Sequence, residues 1–327
     1  MKMSRHTKLA ALSTAILTAT LLLGCGSEPG SKGAFDRTFS VNGPLRLDMT
    51  TGSGDVQVRV GTSGEVRVHG EIHANGWGLE DQEKRINSVK SNPPIVQNGN
   101  LIQISGARPG MHNVSIDYTI EVPLETEIHC TTGSGDVQIE GTKGPANFQS
   151  GSGNVSATGI AGDIIARAGS GDIKFRDVQG QVQVNTGSGD IQIEKAKGEI
   201  RLGTGSGDIE ISQPGDNVIA NTGSGKIDVH GATADLRFHS SSGDITVDGN
   251  PGSTNYWDLH ASSGNVSLRV PSAASFRLYA HTGSGDINAD IPVVMEGTAA
   301  KHELRARIGD GKARVEIETS SGTIELH

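Results

Sequence analysis

The chain has 327 residues and a formal charge of −9, with 46 glycines and only 3% aromatic residues. Acids and bases are interspersed without a basic run, which excludes nucleic acid and an anionic membrane surface as electrostatic partners. So few aromatics exclude an ordinary globular core, and any core must come from Val, Ile, Leu and small residues, as in thin β coils.

Residues 1–8, MKMSRHTK, place Lys2, Arg5 and Lys8 ahead of an apolar stretch over residues 9–23. That stretch is too short and ends too abruptly for a stop-transfer helix, so residues 1–24 read as an export signal. It closes in Leu22-Leu23-Gly24-Cys25, which resembles the lipobox of bacterial lipoproteins, although Leu23 stands where a smaller residue is usual. The resemblance implies cleavage before Cys25, a diacylglyceryl thioether and an N-acyl group on that cysteine, and a membrane partner reached through lipid. More than one acyl chain anchors stably, at about 0.8 kcal/mol per buried CH₂. Gly26 after the cysteine implies the outer membrane in a diderm cell. Residues 25–33 then read as the lipidated Cys25 and a flexible tether.

Residues 34–123 repeat poorly. Segments 39–60 and 65–74 alternate like strands, and LEDQEKRINSVKS, residues 79–91, reads as a short amphipathic helix or loop ahead of Pro93-Pro94. This part is expected to cap the repeats C-terminal to it, because bare β edges invite edge-to-edge association. Cys130, in EIHCTTGSGD, is left without a partner once Cys25 carries lipid, and it reads as a small buried strand residue.

From residue 124 to 327 one unit recurs. Indexed by its Ser, it falls at Ser134, Ser152, Ser170, Ser188, Ser206, Ser224 and Ser242, a spacing of 18, and then at Ser263 and Ser284, a spacing of 21. In GSGDIQIEKAKGEIRLGT the apolar residues alternate as Ile191 and Ile193, then Ile200 and Leu202, broken by GSG and AKG. Each unit therefore gives two short strands and two corners. Burying four aliphatic side chains yields roughly 1.5–3 kcal/mol each, whereas ordering 18 residues costs about 1–2 kcal/mol each. One unit cannot fold alone, and stacking supplies the missing ladder bonds and core. The fold class is all-β, a parallel β-solenoid of roughly ten coils and about 50 Å.

The SGD-Ile/Val-x-Ile/Val units, the entry VSIDYTIEVPLETEIHCTTGSGDV and the end GDGKARVEIETSSGTIEL together resemble the bacterial putative-adhesin β-strand-repeat domain, a domain of unknown function. The resemblance implies a parallel β-solenoid in an exported or envelope protein, and it supplies no catalytic residues.

Enzyme motifs are wanting. NTGS lacks the carboxylate of the aspartic-protease DTGS, and neither GxxxxGK[ST] nor Gly-x-Ser-x-Gly occurs. Stacking lines up Asp136, Asn154, Asp172, Asp190, Asp208, Lys226, Asp244, Asn265 and Asp286. Carboxylates about 4.8 Å apart repel by about 1 kcal/mol even in a water-like medium. Either each Asp (Asp136, Asp172, Asp190, Asp208, Asp244, Asp286) caps its own turn, or Ca²⁺ bridges coils at Asp172, Asp190 and Asp208. The calcium-binding nonapeptide roll uses GGxGxD twice in 18 residues where this chain has SGD once, which favours capping. A second column, His239, His260 and His281, points outward by parity and offers imidazoles to Zn²⁺ or Cu²⁺, or else a solvated polar ladder. Tyr256, Tyr279 and Arg277 share its face, the first place to look for a ligand. Thr186, Thr204 and Thr222 point inward.

These residues lead to a non-catalytic adhesion, binding or envelope-structural protein, with a glycan or an envelope protein as partner and no obligatory cofactor. The alternatives are a sensory or regulatory envelope protein and a metal-dependent β-helix enzyme acting on polysaccharide.

Overall fold

A computed structural model describes residues 31–76, 78–106, 112–297 and 300–327. The expected signal, Cys25 and most of the tether lie outside the described residues. Ser31–Gly33, expected in the tether, already belong to a strand, Ser31–Ser40, paired antiparallel with Glu65–Ala74.

Each 18-residue unit contributes one strand to each of two facing parallel sheets. Ile191–Ala196 lies between Ile173–Val178 and Ile209–Ser212, with Ile173, Ile191 and Ile209 in register. In the other sheet Val182, Ile200 and Val218 line up. The period-2 alternation sends Ile191, Ile193, Ile200 and Leu202 inward, all buried, so the core is a ribbon of stacked aliphatics between the sheets. The chain is a β-solenoid, as the repeat requires.

A kink recurs at the C-terminal end of the first-sheet strand, at Gly141, Gly159, Asp177, Lys195, Gln213 and Gly231, all with positive φ between 54 and 82°. This left-handed residue turns the backbone so that Val178 and Ala196, one position on, are buried as a third inward side chain.

Both ends interleave. Leu45–Thr51 lies between Thr126–Thr132 and Leu101–Ile104, and Val56–Val60 lies between Val137–Glu140 and Val114–Val122. Residues 45–60 are therefore a rung of the solenoid, and the break expected at residue 123 does not separate cap from coil. Its corner, TGSGDV, is the repeat's own, and the same close stacking holds it in place. Outside the 101–122 rung the pairing turns antiparallel through Glu65–Ala74 and Ser31–Ser40. The helix Leu79–Ser91 buries Gln82, Ile86 and Val89, and Gln82 Oε1 accepts from Ser31 N at 2.8 Å.

At the other end the rung after Tyr256–Ala261 and Val266–Arg269 in space comes last in sequence, Ala313–Thr319 with Ile324–Leu326. Phe276–Thr282 and Ile287–Ala289 lie outside it. Glu303–Ile308 then pairs antiparallel on Phe276–Thr282, and the short strand Val294–Met295 pairs antiparallel on it at the edge of that sheet. Twelve parallel rungs stack in all among the described residues, which at about 4.8 Å per step makes a rod of roughly 50 Å.

Candidate functional site

The corners account for most of the repeated polar residues. Thr186, Thr204 and Thr222 are buried, as parity requires. Thr204 Oγ1 accepts from Gly207 N at 3.0 Å and donates to Gly189 O of the preceding rung at 3.2 Å, and Thr222 repeats this on Gly225 and Gly207. One hydroxyl thus satisfies a donor in its own corner and an acceptor in the corner of the preceding rung.

The Asp column works across rungs as well. Asp136 Oδ1 accepts from Asn154 N, Asn154 Oδ1 from Asp172 N, Asp172 Oδ1 from Asp190 N, Asp190 Oδ1 from Asp208 N and Asp208 Oδ1 from Lys226 N, all at 2.8–3.0 Å. The series resumes from Asp244 to Asn265 and from Asn265 to Thr323. The sequence pattern suggests that each Asp caps its own turn; the side chain instead reaches the amide of the following rung, because the rungs stack closely enough to put that amide in reach. Asp286 lies one rung beyond Thr323, in the outermost coil, with no further rung to cap among the described residues. At Asp172, Asp190 and Asp208 one oxygen of each carboxylate is thereby engaged. No group of three or more His, Cys, Asp or Glu among the described residues is placed to hold a metal ion.

The histidine column is also corrected. His239 and His260 are register partners, and their rings stack with centroids 5.0 Å apart and planes 5° from parallel. His281 is not next to them, because Glu318 stands between His260 and His281, 3.7 Å from His260 Nδ1. The cause is the interleaved last rung, which the 21-residue spacing gives no hint of.

Tyr256, Tyr279 and Arg277 do share the outer face of the second sheet, together with residues that the sequence pattern does not bring to notice. Arg277 pairs across with Arg314 on one side and Arg307 on the other, and Tyr279 with Glu316 and Arg305. The Arg305 guanidinium lies 5.4 Å from the Tyr279 ring centroid and that of Arg314 lies 5.6 Å from Tyr256, both within cation–π range. Tyr256 donates its hydroxyl to Glu316, which also accepts from Arg314. Burial, and then this carboxylate, push the Tyr256 phenol up to about 12. A recess of about 540 Å³ opens here, lined by Arg277, Tyr279, Arg305, Lys312 and Arg314 with Glu296 and Glu316. Its four cations exceed its two carboxylates, on a chain whose overall charge is −9. One signal was legible: Ser284 and Ser321 are 37 apart, which breaks the period and marks an excursion there.

Cys130 is buried in Thr126–Thr132 and unpaired. Burial pushes its thiol up to about 12, which suits a packing residue.

Two parallel sheets wound in 18-residue rungs, held corner to corner by side-chain ladders, define a β-solenoid repeat protein. The model of the Toastrack DUF4097 family matches residues 47–221 and 217–327, and the chain belongs to that family. The crystal structure of a "putative cell adhesion protein" from Clostridium sporogenes ATCC 15579 aligns over 90% of this chain and 99% of its own, at 12% identity and a TM-score of 0.25. None of the curated proteins compared with the chain matches it. Among the described residues no helix is long and apolar enough to cross a membrane.

Proposed function

We propose that the protein is an exported, lipid-anchored solenoid that acts by binding rather than catalysis, as an adhesion or envelope-structural protein. The observation that carries this reading is where the polar chemistry lies. Along the regular rungs the recurring hydroxyls and carboxylates hold one rung to the next, whereas the recess of aromatic and basic side chains sits at the C-terminal rungs. With Cys25 anchored in a membrane, the outer membrane in a diderm cell, the chain would enter the fold at Ser31, on the N-terminal cap. The C-terminal face would then stand roughly 50 Å away, presented to a glycan or to another envelope protein.

Two measurements test this. Mass spectrometry of the membrane fraction is expected to show Cys25 as the first residue, carrying diacylglyceryl and N-acyl groups; an intact leader or an unmodified Cys25 overturns the anchoring. The full chain incubated with envelope material is expected to be retained on it without releasing reducing ends. A turnover activity abolished by Asp172→Ala alone overturns the non-catalytic reading.

A further inference from the structure

Resting on the reading of the C-terminal face as a contact surface, we infer that this face binds an acidic glycan, a sugar chain carrying carboxylates, through the row Arg307, Arg277 and Arg314. The three stand on adjacent strands in direct register, with Arg277 and Arg314 exposed and Arg307 half-buried. Like charges facing each other across a sheet are destabilising, by roughly 0.2–1 kcal/mol per pair. The outer two have acidic neighbours: Arg307 lies 3.6 Å from Glu296, and Arg314 is bonded to Glu316. Arg277, in the middle, has no ion-pair partner among the described residues. A guanidinium presents a planar fork that matches a carboxylate in two-point geometry, so the row lacks one thing, an anion laid across it.

The surroundings keep that approach open. Gly311 lies beneath the arginine stems, and a Cβ there would sit 2.8 Å from Arg307 Cγ and 3.2 Å from Arg277 Cγ. Any side chain at 311 would push the row out of line. The row spans about two strand spacings, roughly 10 Å, more than a single small anion covers. Beside it, the Tyr279 ring and the Glu296 and Glu316 carboxylates offer an apolar face and acceptors suited to sugar rings and hydroxyls. Those same acids oppose a densely charged polyanion such as a nucleic-acid duplex, whose charges recur about every 1.7 Å. Charge spaced one per sugar fits the alternation of arginine with acid and aromatic.

Calorimetric titration of the full chain tests the inference, with an oligogalacturonate, its methyl-esterified neutral form and inorganic phosphate as probes. The oligouronate is expected to bind, to weaken as salt is raised, and to lose at least ten-fold in affinity in Arg277→Ala. Arg277→Lys, which keeps the charge without the fork, is expected to fall between. Arg201→Ala, an exposed arginine on the same sheet in mid-rod paired with Glu199, is expected to bind as the parent does. Because Arg277 is exposed and faces like charges on both sides, Arg277→Ala is expected to melt no lower than the parent, which separates lost binding from lost folding. Absence of oligouronate binding, equal binding in Arg277→Ala, or equal binding of the neutral ester overturns the inference. Phosphate bound as tightly as the oligouronate also overturns it, in favour of a simple anion site. Retention on envelope material is a separate readout, so the contact-surface reading survives or falls independently.

Discussion

Replacing Gly207 by Ala tests the central claim about the GSG corner. Gly207 is buried, and a Cβ built on it would lie 2.0 Å from Gly189 O of the preceding rung, against 3.4 Å for ordinary contact. The atom it meets is backbone, so no rotamer relieves the deficit of about 1.4 Å and the rungs must part. Three bonds meet at this corner: Gly207 N to Thr204 Oγ1 at 3.0 Å, Thr204 Oγ1 to Gly189 O at 3.2 Å and Asp208 N to Asp190 Oδ1 at 2.8 Å. Displacing them by an ångström or more breaks them. At about 0.5–1.5 kcal/mol net each, the expected cost is about 2–4 kcal/mol. Because a solenoid's stability is nearly a sum over neighbouring interfaces, the loss should be local. Urea unfolding should register it, and hydrogen exchange should quicken at the amides of Asp208 and Ile191 more than at distant rungs. The control is Gly203→Ala in the same rung, where the new Cβ meets only the movable Asn185 side chain, at 2.8 Å. It should be neutral, or stabilising by about 0.4–1 kcal/mol through the unfolded chain. Equal stability of the two variants would refute the argument.

Asp190→Asn keeps the oxygen that accepts from Asp208 N and should stay within about 0.5 kcal/mol of the parent, whereas Asp190→Ala should cost about 1 kcal/mol in urea unfolding; a larger loss in the Asn variant would show that the charge matters. Gln213, at φ 55°, occupies a conformation that costs a non-glycine residue roughly 1–2 kcal/mol, so Gln213→Gly should raise the urea midpoint, the gain reduced by about 0.4–1 kcal/mol of unfolded-state entropy. Cys130 should resist aromatic disulfide reagents at pH 8 until denaturant is added. Its folded value of about 12 lies above the ordinary 9.0, so the folded chain holds the proton longer, and stability should fall as pH rises from about 9 toward 12, by at most roughly 1.4 kcal/mol per pH unit. A thiol that reacts at once in the native protein, or stability flat across that window, would contradict its burial.

The periodic part of the fold was legible because each rung obeys the same local rules. Alternation placed Ile191, Ile193, Ile200 and Leu202 inside, and the unbroken second glycine of each corner, from Gly135 to Gly243, reflects a contact no Cβ can make. The first glycine is less tightly held, its virtual Cβ 2.4 Å from Gly187 O at Gly205, against 2.0 Å from Gly189 O at Gly207. Serine does replace it, at Ser241 and Ser262. The helix at residues 79–91 was legible from its own amphipathic pattern. Order among rungs at the ends was not. Residue spacing reports how long a coil is and says nothing of which coil it lies against, so His281 looked adjacent to His260 when Glu318 separates them. The arginine row was hidden for the same reason, being drawn from three segments around residues 277, 307 and 314.

The two ends solve one physical problem in the same way, and this accounts for the place of the candidate site. A parallel stack leaves a bare edge at each end, ready to pair with another chain. Here the first rung by sequence, 45–60, and the last, 313–326, are each buried one rung in, the first under the 101–122 rung and the last under the 276–289 rung. The outermost rung is then closed by an antiparallel strand, Glu65–Ala74 at one end and Glu303–Ile308 at the other. An antiparallel strand reverses the side-chain order, so its outward residues need not repeat those of the rungs beneath. Arg305 and Arg307 meet Tyr279 and Arg277 on these terms, in a combination that no regular rung produces. Non-repeating chemistry therefore gathers where the repeat is terminated, and in this chain the C-terminal closure carries the guanidinium row.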